Sequence, residues 1–212
     1  MKITKDQQFI LAAEIMNDAS VNRDVFVTVD WEFIPSIPSD FRRATVIWLD
    51  VDQGCFRRGS EVPVPANTTA FKLIMDPAWE TPFAGEVLLI GSHLHDGGED
   101  VQVFKNGALV CHAKARYGEK PAYVSPGDHS DHRGGGGGHG GHGIGSALER
   151  RHEDIPHISS ISLCNQTGRF EIGDKWSVTA SYNLSKYAPR MAGDHYESVM
   201  GISIVYVLKD ND

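Results

Sequence analysis

Two histidines separated by a single residue carry the sharpest chemical signal in this chain. His93 and His95 stand at the end of an apolar run, within the segment GSHLHDGG at residues 91–98. Side chains at positions i and i+2 of a β-strand point to the same face, about 6–7 Å apart. Two imidazoles placed in this way can bind one metal ion, and Asp96 behind them could orient a ligand ring. The spacing therefore predicts two metal ligands; the alternative is a pair of polar residues on an exposed face.

A metal site with two imidazoles needs a third ligand from elsewhere in the chain. Five residues carry suitable side chains: His112, His157, Met191, His195 and Met200. His157 opens a strand where a polar stretch becomes apolar, and Met200 starts the last apolar run. A methionine in that position is also an ordinary core residue. The residues alone leave the third ligand open.

The elements that must position these residues have the pattern of β-strands. Runs rich in Val, Ile and aromatic residues alternate with turn sequences such as HDGG and KNGA, without helical patterns between them. The runs are 8–17, 24–34, 44–52, 69–76, 85–95, 99–107, 108–117, 157–164, 174–184 and 199–209. The first is also compatible with a short helix. The sequence predicts an all-β protein, an antiparallel β-sandwich or jelly roll, with a hairpin at KNG.

A stretch rich in glycine and histidine interrupts the strand pattern. Residues 125–153 are nearly free of apolar side chains and contain HSDHRGGGGGHGGHG. Such a composition cannot form a packed core, so we predict one jelly-roll domain over residues 1–212 with a flexible insert at 125–153. The histidines of the insert could bind metal weakly, but a solvated loop is the simpler interpretation.

Composition and charge restrict the partners of the chain. Among 212 residues, 28 are acidic and 20 are basic, which gives a net charge of −8. This balance argues against binding to nucleic acid or an anionic membrane, since both attract basic surfaces. No run of about 18 apolar residues is present, so no transmembrane helix is predicted. We expect a small-molecule substrate as the partner; the oligomeric state stays open.

Signals for the cellular compartment are mixed. The N-terminal segment lacks the pattern of a secretory signal peptide. N-glycosylation sequons nevertheless begin at Asn67, Asn165 and Asn183, which slightly favours a secreted mature chain over a cytoplasmic one. The cysteines can form at most one disulfide, and the pairing is open. They are Cys55, Cys111 and Cys164.

The segments around His93 and Met200 resemble a family of copper enzymes. VLLIGSHLHDGGEDVQVFKNGALV and the terminal VMGISIVYV are similar to the C-terminal domain of the copper type II, ascorbate-dependent monooxygenases, the peptidylglycine α-hydroxylating monooxygenase class. That domain is a β jelly roll in which an HxH motif and a methionine bind the copper that activates oxygen. The resemblance covers roughly residues 44–208. It implies that His93, His95 and Met200 bind copper. His157, from its place at the start of the strand after the insert, is the residue that could replace or supplement Met200.

The resemblance does not extend to the second copper domain of those monooxygenases, and it includes a group of fungal proteins. Those monooxygenases carry a second copper, bound by three histidines, in another domain that residues 1–43 are too short to supply. Coupled hydroxylation at two coppers is therefore not implied. The chain also resembles single-domain fungal proteins that share four segments: 49–55, HLHDGG at 93–98, HIS…C at 157–164 and YNLSK at 182–186.

Three functions remain open on this basis. The first is a mononuclear copper-binding oxidoreductase that acts on a small organic substrate with O₂ or peroxide, with catalytic roles for His93, His95, Arg190 and Tyr187. The second is a cyclase or isomerase of fungal secondary metabolism that uses the jelly-roll cavity without metal. The third is a non-catalytic protein for copper binding or delivery, with the histidine-rich stretch as a collector.

Overall fold

Antiparallel strands build the part of the chain that the computed structural model describes, namely residues 3, 5–11, 15, 22–52, 60–125, 154–192 and 194–210. A 3₁₀ helix, Pro121–Tyr123, lies between the sixth and seventh strands. The strands are β1 (Ala44–Asp50), β2 (Ala70–Ile74), β3 (Trp79–Glu80), β4 (Gly85–His93), β5 (Gly98–Lys105), β6 (Ala108–Tyr117), β7 (Val124–Ser125), β8 (Ile155–Pro156), β9 (Ile158–Ile161), β10 (Cys164–Phe170), β11 (Lys175–Asn183), β12 (Met191–Ala192), β13 (His195–Tyr196) and β14 (Ile202–Lys209).

Two antiparallel sheets pack face to face. The first has the strand order β1-β14-β4-β10, and the second has the order β2-β11-β5-β6-β9 with β3 against β11. Two short ribbons, β7–β8 and β12–β13, stand apart from them. The largest buried side chains come from both sheets and include Leu49, Phe170, Trp176 and Tyr182. The structure confirms the predicted all-β antiparallel sandwich.

Alternating residues explain which face of each strand is buried. In β1, Ile47 and Leu49 are buried, whereas Val46 and Trp48, which alternate with them, are exposed. The hairpin predicted at KNG is also present, between β5 and β6. Asn106 and Gly107 adopt φ angles of 51° and 79°, the left-handed backbone that a tight two-residue hairpin turn requires.

Two of the predicted strands differ from the structure. Residues 24–34 form no strand, and Phe26 within them is 91% exposed. No described strand pairs with this segment, and alternation without a pairing partner does not hold a strand. From the run 8–17, the described residues 8–11 and 15 form neither strand nor helix, and the others lie outside the described residues.

Among the described residues, five two-residue strands lie outside the predicted runs, namely β3, β7, β8, β12 and β13, and one longer strand does so apart from its first residue. The segment CNQTGRF, largely polar, forms β10 at the edge of the first sheet. It pairs with β4 through a shift in register between Asn165 and Gly168. The polar side chains and the glycine hide the strand pattern because an edge strand with a bulge needs no apolar alternation.

The cysteine pairing is resolved by the fold. Cys111 of β6 and Cys164 of β10 form a disulfide that links the two sheets, while Cys55 lies outside the described residues. The predicted insert 125–153 lies outside them as well, except for Ser125, which belongs to β7 and pairs with Ile155. In the described part of the chain, no helix is long and apolar enough to span a bilayer.

Candidate metal centre

His93 and His95 lie at the end of β4 in the first sheet. His93 is the exposed last residue of the strand and pairs with Ile202 of β14, and His95 follows after the buried Leu94. Their ring planes are inclined at 86° and the ring centroids lie 5.4 Å apart. Because an imidazole nitrogen lies about 2 Å from a metal it binds, two rings at this separation fit one shared ion.

A backbone carbonyl orients the ring of His95. Its Nδ1 lies 2.7 Å from the carbonyl oxygen of Ser198. Since a carbonyl can only accept, Nδ1 carries the proton, and the neutral ring keeps its lone pair on Nε2. Metal-binding histidines are commonly oriented in this way. The sequence suggested Asp96 for this role, but the Asp96 carboxylate contacts other residues.

One buried hydroxyl joins the segments that carry His95 and Met200. The Tyr182 hydroxyl accepts a hydrogen bond from the backbone N–H of His95 (3.1 Å) and donates one to the carbonyl of Met200 (2.6 Å). The N–H of Met200 lies 3.3 Å from the same oxygen. Burial raises the pKa of Tyr182 well above its ordinary value of 10.0, so the hydroxyl keeps the proton that it donates. Tyr182 thus holds both segments at one point.

A buried charge cluster follows His95 directly. One oxygen of Asp96, Oδ2, lies 2.6 Å from Nδ1 of His157 and 3.0 Å from Nε of Arg190. The other oxygen accepts the backbone N–H of Ile158 at 2.8 Å. The Asp96 side chain is only 5% exposed, so its charge is compensated by these partners rather than by water.

Both ring nitrogens of His157 have hydrogen-bond partners in this region. Nδ1 faces Asp96, and Nε2 lies 2.8 Å from the hydroxyl of Ser125. Both nitrogens have hydrogen-bond partners, so neither is open to a metal in this arrangement. His157 supports the turn that follows the histidine pair.

The turn itself depends on glycine and a second buried tyrosine. Gly97 has a φ angle of 94°, and a Cβ there would lie 2.5 Å from Leu184. The hydroxyl of Tyr117 accepts the N–H of Gly97 (3.0 Å) and donates to the carbonyl of Gly98 (2.8 Å). Burial raises the pKa of Tyr117, which keeps this donor protonated. The HDGG segment is therefore held by side chains from outside it.

The residues expected to contact substrate also lie at this turn. Tyr187 stacks on Tyr117 with ring centroids 4.0 Å apart and planes inclined by 6°. Arg190 reaches Asp96, and its side chain is 22% exposed. Of the six residues with a predicted catalytic or copper-binding role, His95 belongs to this turn, and His93, His157 and Arg190 contact His95 or Asp96 directly. Tyr187 and Met200 instead contact the tyrosines that hold the turn, Tyr117 and Tyr182.

The other candidates for a third ligand lie elsewhere. His112 stands on the second sheet, 3.2 Å from the carboxylate of Asp100. Met191 and His195 belong to the ribbon β12–β13 and line a cleft of about 520 Å³ that reaches Ser198. The remaining walls of the cleft are Pro63, Val64, Asp194 and Tyr196.

The next question is whether three of the usual metal-binding side chains lie together in the described residues. Within the described ranges, no group of three His, Cys, Asp or Glu side chains is placed to hold a metal ion. A site at His93 and His95 therefore needs a ligand of another type. Met200, whose backbone shares the Tyr182 hydroxyl with His95, offers a thioether.

Three residues that organise this region were missed by sequence reasoning: Tyr117, Tyr182 and Ser198. Each tyrosine lies in an apolar strand, where its ring predicts core packing. The available signal was the hydroxyl, because a buried tyrosine normally requires a hydrogen-bond partner. Ser198 acts through its backbone carbonyl, which no side-chain pattern reveals.

Two fungal proteins are similar to nearly the whole chain. Probable copper-dependent oxygenase M1 of Phoma sp. is 30% identical over 208 residues, which are 98% of this chain and 45% of that protein. Probable copper-dependent oxygenase clz3 of Cochliobolus lunatus is 29% identical over 208 residues, 98% of this chain and 56% of that protein. The chain thus spans about half the length of these relatives. No protein-family model and no solved structure matches the chain.

Proposed function

We propose that this chain binds one copper ion through His93, His95 and Met200 and acts as an oxidoreductase on a small organic substrate with O₂ or peroxide. The observation that carries the proposal is the local architecture at His95. Its ring lies beside the ring of His93 and is oriented through Nδ1 by the Ser198 carbonyl, and its backbone shares one hydroxyl with Met200. The names of the two similar fungal proteins support copper as the metal and oxygen chemistry as the reaction.

The available donors fit copper better than other biological metals. Imidazole together with thioether suits Cu(I), which softer ligands select. Zinc sites instead use cysteine, histidine and carboxylate, and calcium and magnesium prefer oxygen ligands. No three such side chains gather in the described part of the chain. Copper held here would supply one-electron redox chemistry and a site for oxygen activation.

The surrounding residues supply orientation and access. The Ser198 carbonyl holds the proton on Nδ1 of His95, which keeps Nε2 as the donor atom. The exposure of His93 leaves the outer side of the site open to a substrate. The cleft beside Ser198 adds apolar walls from Met191 and Tyr196, and such walls suit a small organic molecule.

The resemblance to the ascorbate-dependent monooxygenases forms part of the same proposal. We infer that residues 1–212 form one domain related to the C-terminal copper domain of those enzymes. The support is the HxH pair at His93 and His95, with Met200 two residues before β14. Tyr187 and Arg190 keep their proposed contact with substrate, since both lie at the turn beside the histidine pair.

Metal content of the purified chain tests the proposal. Elemental mass spectrometry on untagged protein should find about one copper per chain. A variant lacking residues 129–145 should retain it, because none of the three proposed ligands belongs to that stretch. The double variant His93→Ala/His95→Ala should lose it. The matched control His112→Ala/His195→Ala removes two histidines placed elsewhere and should keep it.

The same experiment separates the alternatives. Absence of stoichiometric copper from the deletion variant would contradict the proposal and favour a metal-free cyclase or isomerase. Copper that is bound at His93 and His95, but supports no ascorbate-driven O₂ consumption with any organic substrate, would favour a binding or delivery protein. Copper-dependent O₂ consumption that is lost in the double variant would support the oxidoreductase.

A further inference from the structure

We propose that Tyr182 is a positioning residue that adjusts the preference of the copper site for Cu(I) over Cu(II). The inference rests on the proposed function, since it assumes that His95 and Met200 bind the same ion. Tyr182 itself is no ligand: its hydroxyl acts on the backbone of both ligand residues.

The position of this hydroxyl is fixed from the opposite sheet. Tyr182 belongs to β11, in the second sheet, whereas His95 and Met200 flank strands of the first sheet. Its side chain is 2% exposed, and its ring stacks on Phe71 with centroids 5.2 Å apart and planes inclined by 5°. A ring packed in this way cannot follow a displacement of either ligand segment, so it sets their separation.

The hydroxyl has unequal importance for the two ligands. The ring of His95 keeps a separate restraint, because the Ser198 carbonyl orients its Nδ1. At Met200, both backbone polar groups contact the Tyr182 hydroxyl, at 2.6 Å and 3.3 Å. Loss of the hydroxyl therefore releases Met200 more than it releases His95.

A loosened methionine affects the two copper oxidation states differently. Thioether is a soft ligand that selects Cu(I), whereas imidazole serves both oxidation states. Removal of the Tyr182 hydroxyl should therefore weaken Cu(I) binding more than Cu(II) binding. A purely structural defect would weaken both states by a similar factor.

Tyr117 provides the matched control. It is also a tyrosine whose hydroxyl accepts one backbone N–H and donates to one backbone carbonyl in the same region. Its two partners, Gly97 and Gly98, both belong to the turn after His95, and neither lies on the Met200 segment. The two Tyr→Phe variants thus remove the same group, and only one of them removes the link to methionine.

The test measures Cu(I) and Cu(II) affinities by competition with chelators for wild type, Tyr182→Phe and Tyr117→Phe. In Tyr182→Phe, the ratio of Cu(I) to Cu(II) affinity should fall about tenfold, a typical loss for removing a partner that orients a ligand. The reduction potential of the bound copper should fall by about 60 mV accordingly. Copper–sulfur scattering in X-ray absorption of the Cu(I) form should weaken. Tyr117→Phe should change both affinities by the same factor.

A second variant keeps the inference testable if Tyr182→Phe does not fold. Met200→Leu should show the same selective loss of Cu(I) affinity, and adding Tyr182→Phe to it should not lower the ratio further. An unchanged ratio in Met200→Leu, or equal shifts in the two Tyr→Phe variants, would overturn the inference. Wild-type protein without copper would instead overturn the proposed function on which it rests.

Discussion

An aspartate holds a turn at each end of the β5–β11 strand pair, and the two turns have different surroundings. Asp96 precedes β5 at the end that carries the histidine pair, and its side chain is 5% exposed. Asp174 precedes β11 at the opposite end, and its side chain is 16% exposed. Asp96 has the imidazole of His157 and the guanidinium of Arg190 within 3.0 Å, whereas the Lys105 ammonium lies 3.7 Å from Asp174.

The two aspartates also differ in how many segments of the chain they link. Asp174 joins its own turn, through the N–H of Glu171 at 2.9 Å, to one other segment, the β5–β6 turn, through the amide of Asn106 at 2.7 Å. Asp96 joins its turn to two other segments, which carry His157 and Arg190. A buried carboxylate that ties distant segments together fixes the turn between them, which is what a preorganised ligand site requires.

The largest expected effect comes from neutralising the two aspartates. Asp96→Asn should lower the free energy of unfolding by about 3 kcal/mol, because it removes the charge of a carboxylate that is 5% exposed and contacts Arg190. Asp174→Asn should lower it by less than about 1 kcal/mol, since its ion pair is closer to solvent. Urea unfolding of both copper-free variants at pH 7 measures the difference. Equal losses would show that burial does not distinguish the two turns.

A smaller effect is expected at His157, and it bears on the choice of the third ligand. His157→Gln removes one partner of Asp96 and should lower the free energy of unfolding by about 1–2 kcal/mol. Its copper content should stay at the wild-type level, because both ring nitrogens already have hydrogen-bond partners. The two measurements are urea unfolding and elemental mass spectrometry. Loss of copper from a folded His157→Gln variant would make His157 the third ligand in place of Met200.

The sandwich could be predicted from the sequence because apolar residues alternate along its strands, and the apolar side of each strand is the side that packs between the sheets. In β1, which lies within the predicted run 44–52, the alternating residues Ile47 and Leu49 are buried between the sheets. The pattern failed at residues 24–34, where Val, Phe and Trp alternate with polar residues as they would in a strand. Alternation predicts which side chains share a face of a strand, but it does not predict which strand lies beside it. No described strand pairs with this segment.

The candidate site was predictable in part for a related reason. The HxH spacing needs only local strand geometry, so the pairing of His93 and His95 follows from the sequence. The hydroxyl of Tyr182 meets His95 across 87 residues of chain and between two sheets. Such a contact depends on how the sheets stack, which no local pattern encodes. The same applies to Arg190, whose contact with Asp96 spans 94 residues.

The smallest expected effect is the acid dependence of the far turn. Hydrogen bonds from the N–H of Glu171 and the amide of Asn106, together with the Lys105 ammonium, hold the pKa of Asp174 below its ordinary value of 3.8. A carboxylate whose pKa is lower in the folded state than in the unfolded state stabilises the protein at a pH above its unfolded pKa. This stabilisation is lost as the pH falls through the folded pKa. The stability gap between wild type and Asp174→Asn should therefore be constant from pH 7 to about 5 and shrink below about pH 4.

Urea unfolding at a series of pH values checks this window, and Asn106→Ala supplies the control. That variant removes one of the hydrogen bonds that depress the pKa of Asp174, so the acid-dependent loss of stability should be smaller than in wild type and should be complete at a higher pH. A gap that stays constant down to pH 3 would show that Asp174 gains nothing from its turn. The two aspartates would then differ in burial only, because the negative charge of Asp174 would add no stability to the turn before β11.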